Sequence, residues 1–227
     1  ANQPDISQLQ PIEDNSNPLL INKGNPNLLP EFSNNVGLNF NAMNYVNFSN
    51  YYVNMQVGNT MNRITNMNSY GKGGVQTIIP VNVNGGYNTM LMLGLGRPFK
   101  LNKYVLNTFG ILRYSKDISF ASQSGRSNGA SDYNLTNLPP QNVTSTFMGM
   151  YNLGFTVNMT KLSLTSSARV TYNNAAYTIQ TIPNTEYANY AVNLDAKVTV
   201  FGSLRVASDV SYTTNNGLSA GFNQKTI

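Results

Sequence analysis

The chain of 227 residues contains no cysteine, no histidine and no tryptophan. The first two absences remove disulfides, Cys/His metal sites and every catalytic arrangement built on a thiolate or an imidazole. Charge is also scarce. Only 10% of residues are charged, against roughly 25% in an ordinary soluble domain. No run of about 18 apolar residues exists, so no transmembrane helix is encoded. This leaves strand-type membrane crossings open, because a transmembrane β-strand needs only about ten residues of alternating hydrophobicity. The net charge of +5 is spread singly over residues such as Arg63, Arg97, Arg113, Arg169 and Arg205. Without a basic cluster interleaved with aromatics, nucleic acid is not expected as a partner.

What fills the chain instead is Asn, Ser, Thr, Tyr and Gly in a two-residue rhythm. From Lys161 to Tyr172 the even positions are Leu162, Leu164, Ser166, Ala168, Val170 and Tyr172, and the odd ones are polar or charged. Tyr190, Val192, Leu194, Ala196, Val198 and Val200 repeat the pattern, as do Leu204, Val206, Val210 and Tyr212. Such alternation sends side chains to opposite faces of a sheet and fits no helical period. Five earlier segments read the same way, at 34–42, 51–61, 87–97, 104–114 and 147–157. The set makes eight strands, with one apolar face and one polar face.

The connections carry the second signal. Those near 43–50, 98–103, 158–161 and 201–203 are short, whereas 62–86, 115–146 and 173–189 are long. Strict alternation of short and long suits a transmembrane barrel, with tight turns on one side and loops on the other. A soluble sandwich is wet at both ends and has no use for it. The expected fold is therefore all-β, an antiparallel up-and-down transmembrane β-barrel segment of about eight strands. Residues 1–33 read as a Pro/Asn-rich loop, 34–214 as the barrel strands and 215–227 as a truncated loop. Matching of apolar faces demands an odd loop between the last two strands, which Phe201-Gly202-Ser203 supplies with Gly202 free to take positive φ, and an even one, two or four residues, around Thr160-Lys161. Aromatics near the strand ends suggest two interfacial girdles. Tyr45, Phe48, Tyr51, Phe99 and Tyr104 stand at the turns, and Tyr70, Tyr87, Tyr114, Tyr172 and Tyr187 toward the loops.

Residues 14–31, DNSNPLLINKGNPNLLPE, resemble a segment of Bacteroidetes-type TonB-dependent outer-membrane receptors. The matching residues are Asp14 to Leu19, then Gly24 to Leu28, Pro30 and Glu31. Leu29 departs from the Lys often found there. Gly74 to Asn88 is similar to the long loop that re-enters such barrels, and Asn215 to Gln224 to the loop before the last strands. The resemblance implies a Gram-negative outer membrane, lipid contact, and import of a nutrient or chelate. It also implies a plug domain and the TonB energy-coupling system as partners, supplied by other parts of a longer chain. A small standalone barrel that binds a glycan or host ligand without transport is the alternative.

The candidate lumen-facing residues are Arg113, Arg169, Asp195, Lys197, Arg205 and Asp209. They would contact a plug or a polar substrate, or simply solvate the interior and pair across strands. In the longest loop, Arg126, Asp132 and Tyr133 are candidate substrate contacts, since binding sites often sit on loops held by a rigid scaffold. Asp5, Glu13, Asp14 and Glu31 have no metal-loop spacing and no partner base. No cofactor and no enzymatic activity are expected.

Overall fold

The computed structural model describes residues 1–70, 74–100, 103–120, 123–124, 140–179, 183–202, 204–217 and 225–226. Two sheets make up the chain. The larger contains nine strands in the order β14-β13-β12-β11-β10-β8-β7-β4-β3, all antiparallel. Its long members are β3 (Phe32–Asn44), β4 (Ser49–Met61), β7 (Tyr87–Phe99), β8 (Tyr104–Phe120), β10 (Gln141–Asn158), β11 (Leu162–Tyr177), β12 (Thr185–Val200) and β13 (Leu204–Asn216). These are the eight strands read from the alternation. The ninth, β14 (Lys225–Thr226), is a two-residue edge.

Register places the whole apolar set on one face. Leu38, Met55, Leu91 and Leu112 are successive cross-strand partners. So are Leu153, Ala168, Val192 and Tyr212. Among the described residues nothing covers this face through its middle. Val36, Val206, Tyr151 and Leu153 are exposed, and every buried hydrophobic residue described lies elsewhere. About two dozen exposed apolar side chains in one contiguous band require a hydrocarbon solvent.

The turns behave as parity requires. Three residues separate the Val200–Leu204 pair and four separate Asn158 from Ser163. Gly202 adopts φ 80°, as the tight loop needs. Aromatic rings mark both borders of the band. Tyr104 stacks on Phe155 at 6.1 Å near the turns, and Tyr87–Tyr114 and Phe147–Tyr172 meet at 5.6 and 6.1 Å toward the loops. From Tyr104 to Tyr114 is ten steps, roughly 33 Å of strand at ~3.3 Å each. A tilt of about 40° reduces this to roughly 25 Å, the height of an outer-membrane apolar band. Two expected girdle members fall elsewhere. Tyr187 pairs with Asn173 on the polar face, and Tyr70 ends a strand outside the band.

The expected loops are largely strand. β8 and β10 remain paired up to Phe120↔Gln141, well inside the span 115–146, and β11 and β12 reach to Tyr177 and down to Thr185. Span 62–86 is a hairpin, β5 (Arg63–Tyr70) with β6 (Gln76–Val83), continuing β4 and β7 beyond a bend at Asn62 (φ 53°). Residues 1–33 hold a four-residue helix, α1 (Ile6–Leu9), and strands β1 (Glu13–Asn17) and β2 (Leu20–Lys23). With β9 (Gln123–Ser124) these form the second sheet, β1-β2-β6-β5-β9. β6 lies inside this sheet although it carries Pro80. β2 pairs with β6 only as far as Ile78, so Pro80 costs that flank no ladder bond, and the Asn25 amide donates to its carbonyl at 3.0 Å.

The buried core sits where the second sheet lies on the extended strands. Met67, Ile79, Val81 and Val83 pack against Ile118 and Phe120, with Val143 beside them. Ile118 and Phe120 share the parity of Leu112 and Tyr114. One face of β8 therefore meets lipid below Tyr114 and protein above it.

Depth decides the cost of a charge on the apolar face. Leu194 lies midway along its strand's apolar run, while Val198 is two residues from the turn end. Leu194→Arg should destabilise the inserted protein by about 2–4 kcal/mol and Val198→Arg by about 0–1 kcal/mol. Lys197→Ala, on the other face, should be nearly silent. Unfolding from lipid vesicles in denaturant measures all three, and equal costs at Leu194 and Lys197 would refute the face assignment.

Candidate functional site: the polar wall and its outer latch

Opposite the lipid-facing band, the same strands present a polar wall. All six expected residues lie on it. Arg169 faces Asn152 and Ala191 across the ladder, and Arg113 faces Met90 and Met148, with its guanidinium 3.6 Å from the Met90 sulfur. Lys197 is opposite Ala207 and Arg205 opposite Thr199. Asp195 and Asp209 are direct partners on adjacent strands. Two like charges so placed repel, which is a cost and not a structural gain. Among the described residues none of the six forms an ion pair, so the expected cross-strand charge pairing is not what holds them. The expected loop contacts Arg126, Asp132 and Tyr133 lie outside the described residues.

The wall is zoned, a feature that residue-by-residue reading of charges missed. On β3, β4 and β7 it carries no charge. Asn35, Asn39, Asn54 and Gln56 dominate on β3 and β4, β7 adds Asn88 with Met90 and Met92, and the amide of Asn54 donates to that of Asn39. Asn54 is 5% exposed and its own carbonyl oxygen has no partner. Charges appear only from β8 onward. One of them, Asp117, pairs with Arg63 at 2.6 Å, and the same guanidinium donates to the Ile118 carbonyl at 2.7 Å. Arg63 belongs to β5, so this pair ties the second sheet to the end of the wall. A separation of 54 residues made it invisible in the sequence.

Residues 1–31 latch onto the β5–β6 hairpin through Asn25 and Glu31 of the resembling segment and through the backbone of Leu29, the position that departs from it. The Asn82 side chain accepts from Leu29 N at 2.8 Å and donates to Leu29 O at 3.0 Å and to Asn62 O at 2.7 Å. Glu31 accepts from Ile64 N at 2.7 Å, and its backbone pairs reciprocally with Asn2. Asn25 bridges Pro80 as described, accepts from Asn27 N at 3.0 Å and donates its own N–H to Gln8 O. Leu28 is buried. Gly24 runs so close to the Gln10 backbone that no Cβ would fit. Asp14 accepts from Ser16 N at 3.1 Å, and this backbone donor holds its carboxyl below the ordinary carboxylate range. The motif thus encodes docking geometry. Gly74 to Asn88, expected to re-enter the barrel, instead forms β6 and the start of β7 and packs on the apolar side of β8. Of the third stretch, 218–224 lie outside the described residues.

Among the described residues no group of three or more acidic side chains could hold a metal ion. The model of a family described as "outer membrane protein beta-barrel family" matches residues 1–226. No curated protein and no solved structure matches the chain.

Two outcomes test this arrangement. Asn82→Ala removes three hydrogen bonds and should cost about 1–3 kcal/mol, while releasing 1–31 to proteolysis and hydrogen exchange before the long strands open. Asp209→Asn should raise the denaturant midpoint by relieving the like-charge pair, and the gain should vanish in an Asp195→Asn background.

Proposed function

The chain belongs to an outer-membrane β-barrel protein family, and from that premise we propose that it is the barrel portion of a TonB-dependent receptor of Bacteroidetes type, importing a nutrient or chelate. The observation that carries the reading is the open sheet. Among the described residues β3 pairs only with β4, and the other edge is the two-residue β14. A strand immersed in lipid cannot leave a row of N–H and C=O groups unpaired. Eight long strands that do not close on themselves fit a wall of a larger barrel, of about 22 strands in plugged transporters. The DNSNPL and GNPNLLPE runs support the same reading, because their residues latch the segment that leads into the first long strand. In this role the polar wall faces a plug or a passing solute, and the loops beyond β8 and β10 meet substrate from outside. Energy coupling, plug and substrate recognition then lie mainly in parts of the receptor other than these strands.

The competing reading, a small surface barrel that binds a glycan or host ligand without transport, requires closure by these strands alone. The two differ in the size of the native product. An antibody against residues 14–31 should detect, in outer-membrane fractions of the source cells, a band far larger than the 24.9 kDa of this chain. Uptake of the solute should stop when the inner-membrane energy-coupling system is disabled, with binding retained. A membrane band near 24.9 kDa would exclude the receptor reading.

A further inference from the structure

The apolar face is not uniformly convex. A groove of about 590 Å³ crosses β7, β8 and β10 in its middle. Its floor is made by residues with little or no side chain, Thr108, Gly110 and Gly149, and its sides by Leu93, Leu95 and Tyr151. All of these belong to the lipid-facing parity. The volume falls within the range of small-molecule sites, yet the lining is almost entirely apolar and the opening faces hydrocarbon. Beyond the Thr108 hydroxyl the lining offers water almost nothing to bond with, so an acyl chain is the matching occupant.

The charge at one end of the groove makes this more than ordinary lipid contact. Arg97 follows Leu95 by two residues on the same face, about 7 Å further along the strand. Its guanidinium stands over the Phe99 ring at 5.1 Å, and the Lys100 ammonium lies 5.9 Å from the Tyr104 ring. Lys103 shares their turn, and Lys161 occupies the neighbouring one. The short turns 45–48, 100–103, 159–161 and 201–203 contain no Asp or Glu. A carboxylate-free group of cations beside an aromatic row suits a phosphate at the membrane surface. In outer-membrane barrels the short turns face the periplasm.

We propose that this face holds one phosphate-headed diacyl lipid of the periplasmic leaflet, with its phosphate at Arg97 and Lys100 and an acyl chain in the groove over Gly110 and Gly149. The inference depends on the chain's place in an outer-membrane barrel and is independent of the transport proposal. The groove selects by shape and the turn by charge, so the two halves can be removed separately. A Cβ at Gly110 or Gly149 would meet its nearest neighbours at 3.6 and 3.5 Å, ordinary contact distances, so larger side chains there fill the groove without opening the sheet. Arg97 and Lys100 are exposed, and their replacement leaves the sheet intact.

The test uses the protein reconstituted in phosphatidylcholine bilayers containing acyl-chain spin-labelled phosphatidylglycerol, with labelled phosphatidylcholine in parallel. Electron spin resonance counts the motionally restricted lipid. The native protein should restrict about one more phosphatidylglycerol than phosphatidylcholine per chain, with the excess falling as salt rises. Arg97→Gln with Lys100→Gln should abolish that excess. Gly110→Leu with Gly149→Leu should remove about one restricted lipid per chain, with heat-modifiable gel mobility confirming that the barrel is folded. Equal restriction of the two lipids by the native protein would overturn the proposal. So would a folded groove-filled variant that keeps the full excess.

Discussion

Everything in this molecule follows from the need to pair every backbone N–H and C=O where no water is present. In hydrocarbon an unpaired group costs several kcal/mol, so the chain is committed to long, unbroken antiparallel ladders. That commitment fixes the side-chain period at two and splits each strand between lipid and a polar wall. The stability of the band then does not come from a packed interior. Its apolar residues exchange one hydrocarbon environment for another, and the ladder holds the shape. Among the described residues, only where β5 and β6 fold over β8 is there a conventional core, of Met67, Ile79, Val81, Val83, Ile118 and Phe120. The molecule thus uses two stabilising principles, divided near the Tyr87–Tyr114 pair.

This division explains which parts were legible in the sequence. The eight long strands could be read because each has one face in lipid and one away from it, the condition under which alternation is cleanest. Loop parity followed, since Val200 and Leu204 must share a face. The outer sheet was hidden for the opposite reason. QTIIPVNV does alternate, but Pro80 argues against a central strand until the Asn25 contact to its carbonyl is seen. β1 and β2 are too short and too rich in Asn and Pro to show a period. β1 pairs with β2, and β2 is held by residues 76–78 of β6, which are remote in sequence.

The candidate site divides the same way. Parity alone put Arg113, Arg169, Asp195, Lys197, Arg205 and Asp209 on the polar wall. Their mutual arrangement depends on register, which parity does not supply. Hence the direct opposition of Asp195 and Asp209 emerged only from the structure, as did the uncharged amide zone of β3, β4 and β7. The family resemblance pointed to residues 14–31 without a physical reason. The latch on the β5–β6 hairpin supplies one, since Asn25, Leu28, Leu29 and Glu31 each satisfy or bury a specific partner there.

The parallel pairing of β2 with β6 sets a sequence of events during biogenesis. Residues 20–23 bond to a strand that exists only after β4 and β7 have formed their hairpin and carried β5 and β6 to the far side of the membrane. The N-terminal segment must be delivered to that side as well, and it has no partner until the hairpin arrives. Residues 20–23 thus precede their partner strand in the chain and wait for it as a solvated polar segment. Their docking on β6 closes the second sheet only after the wall beneath it has formed.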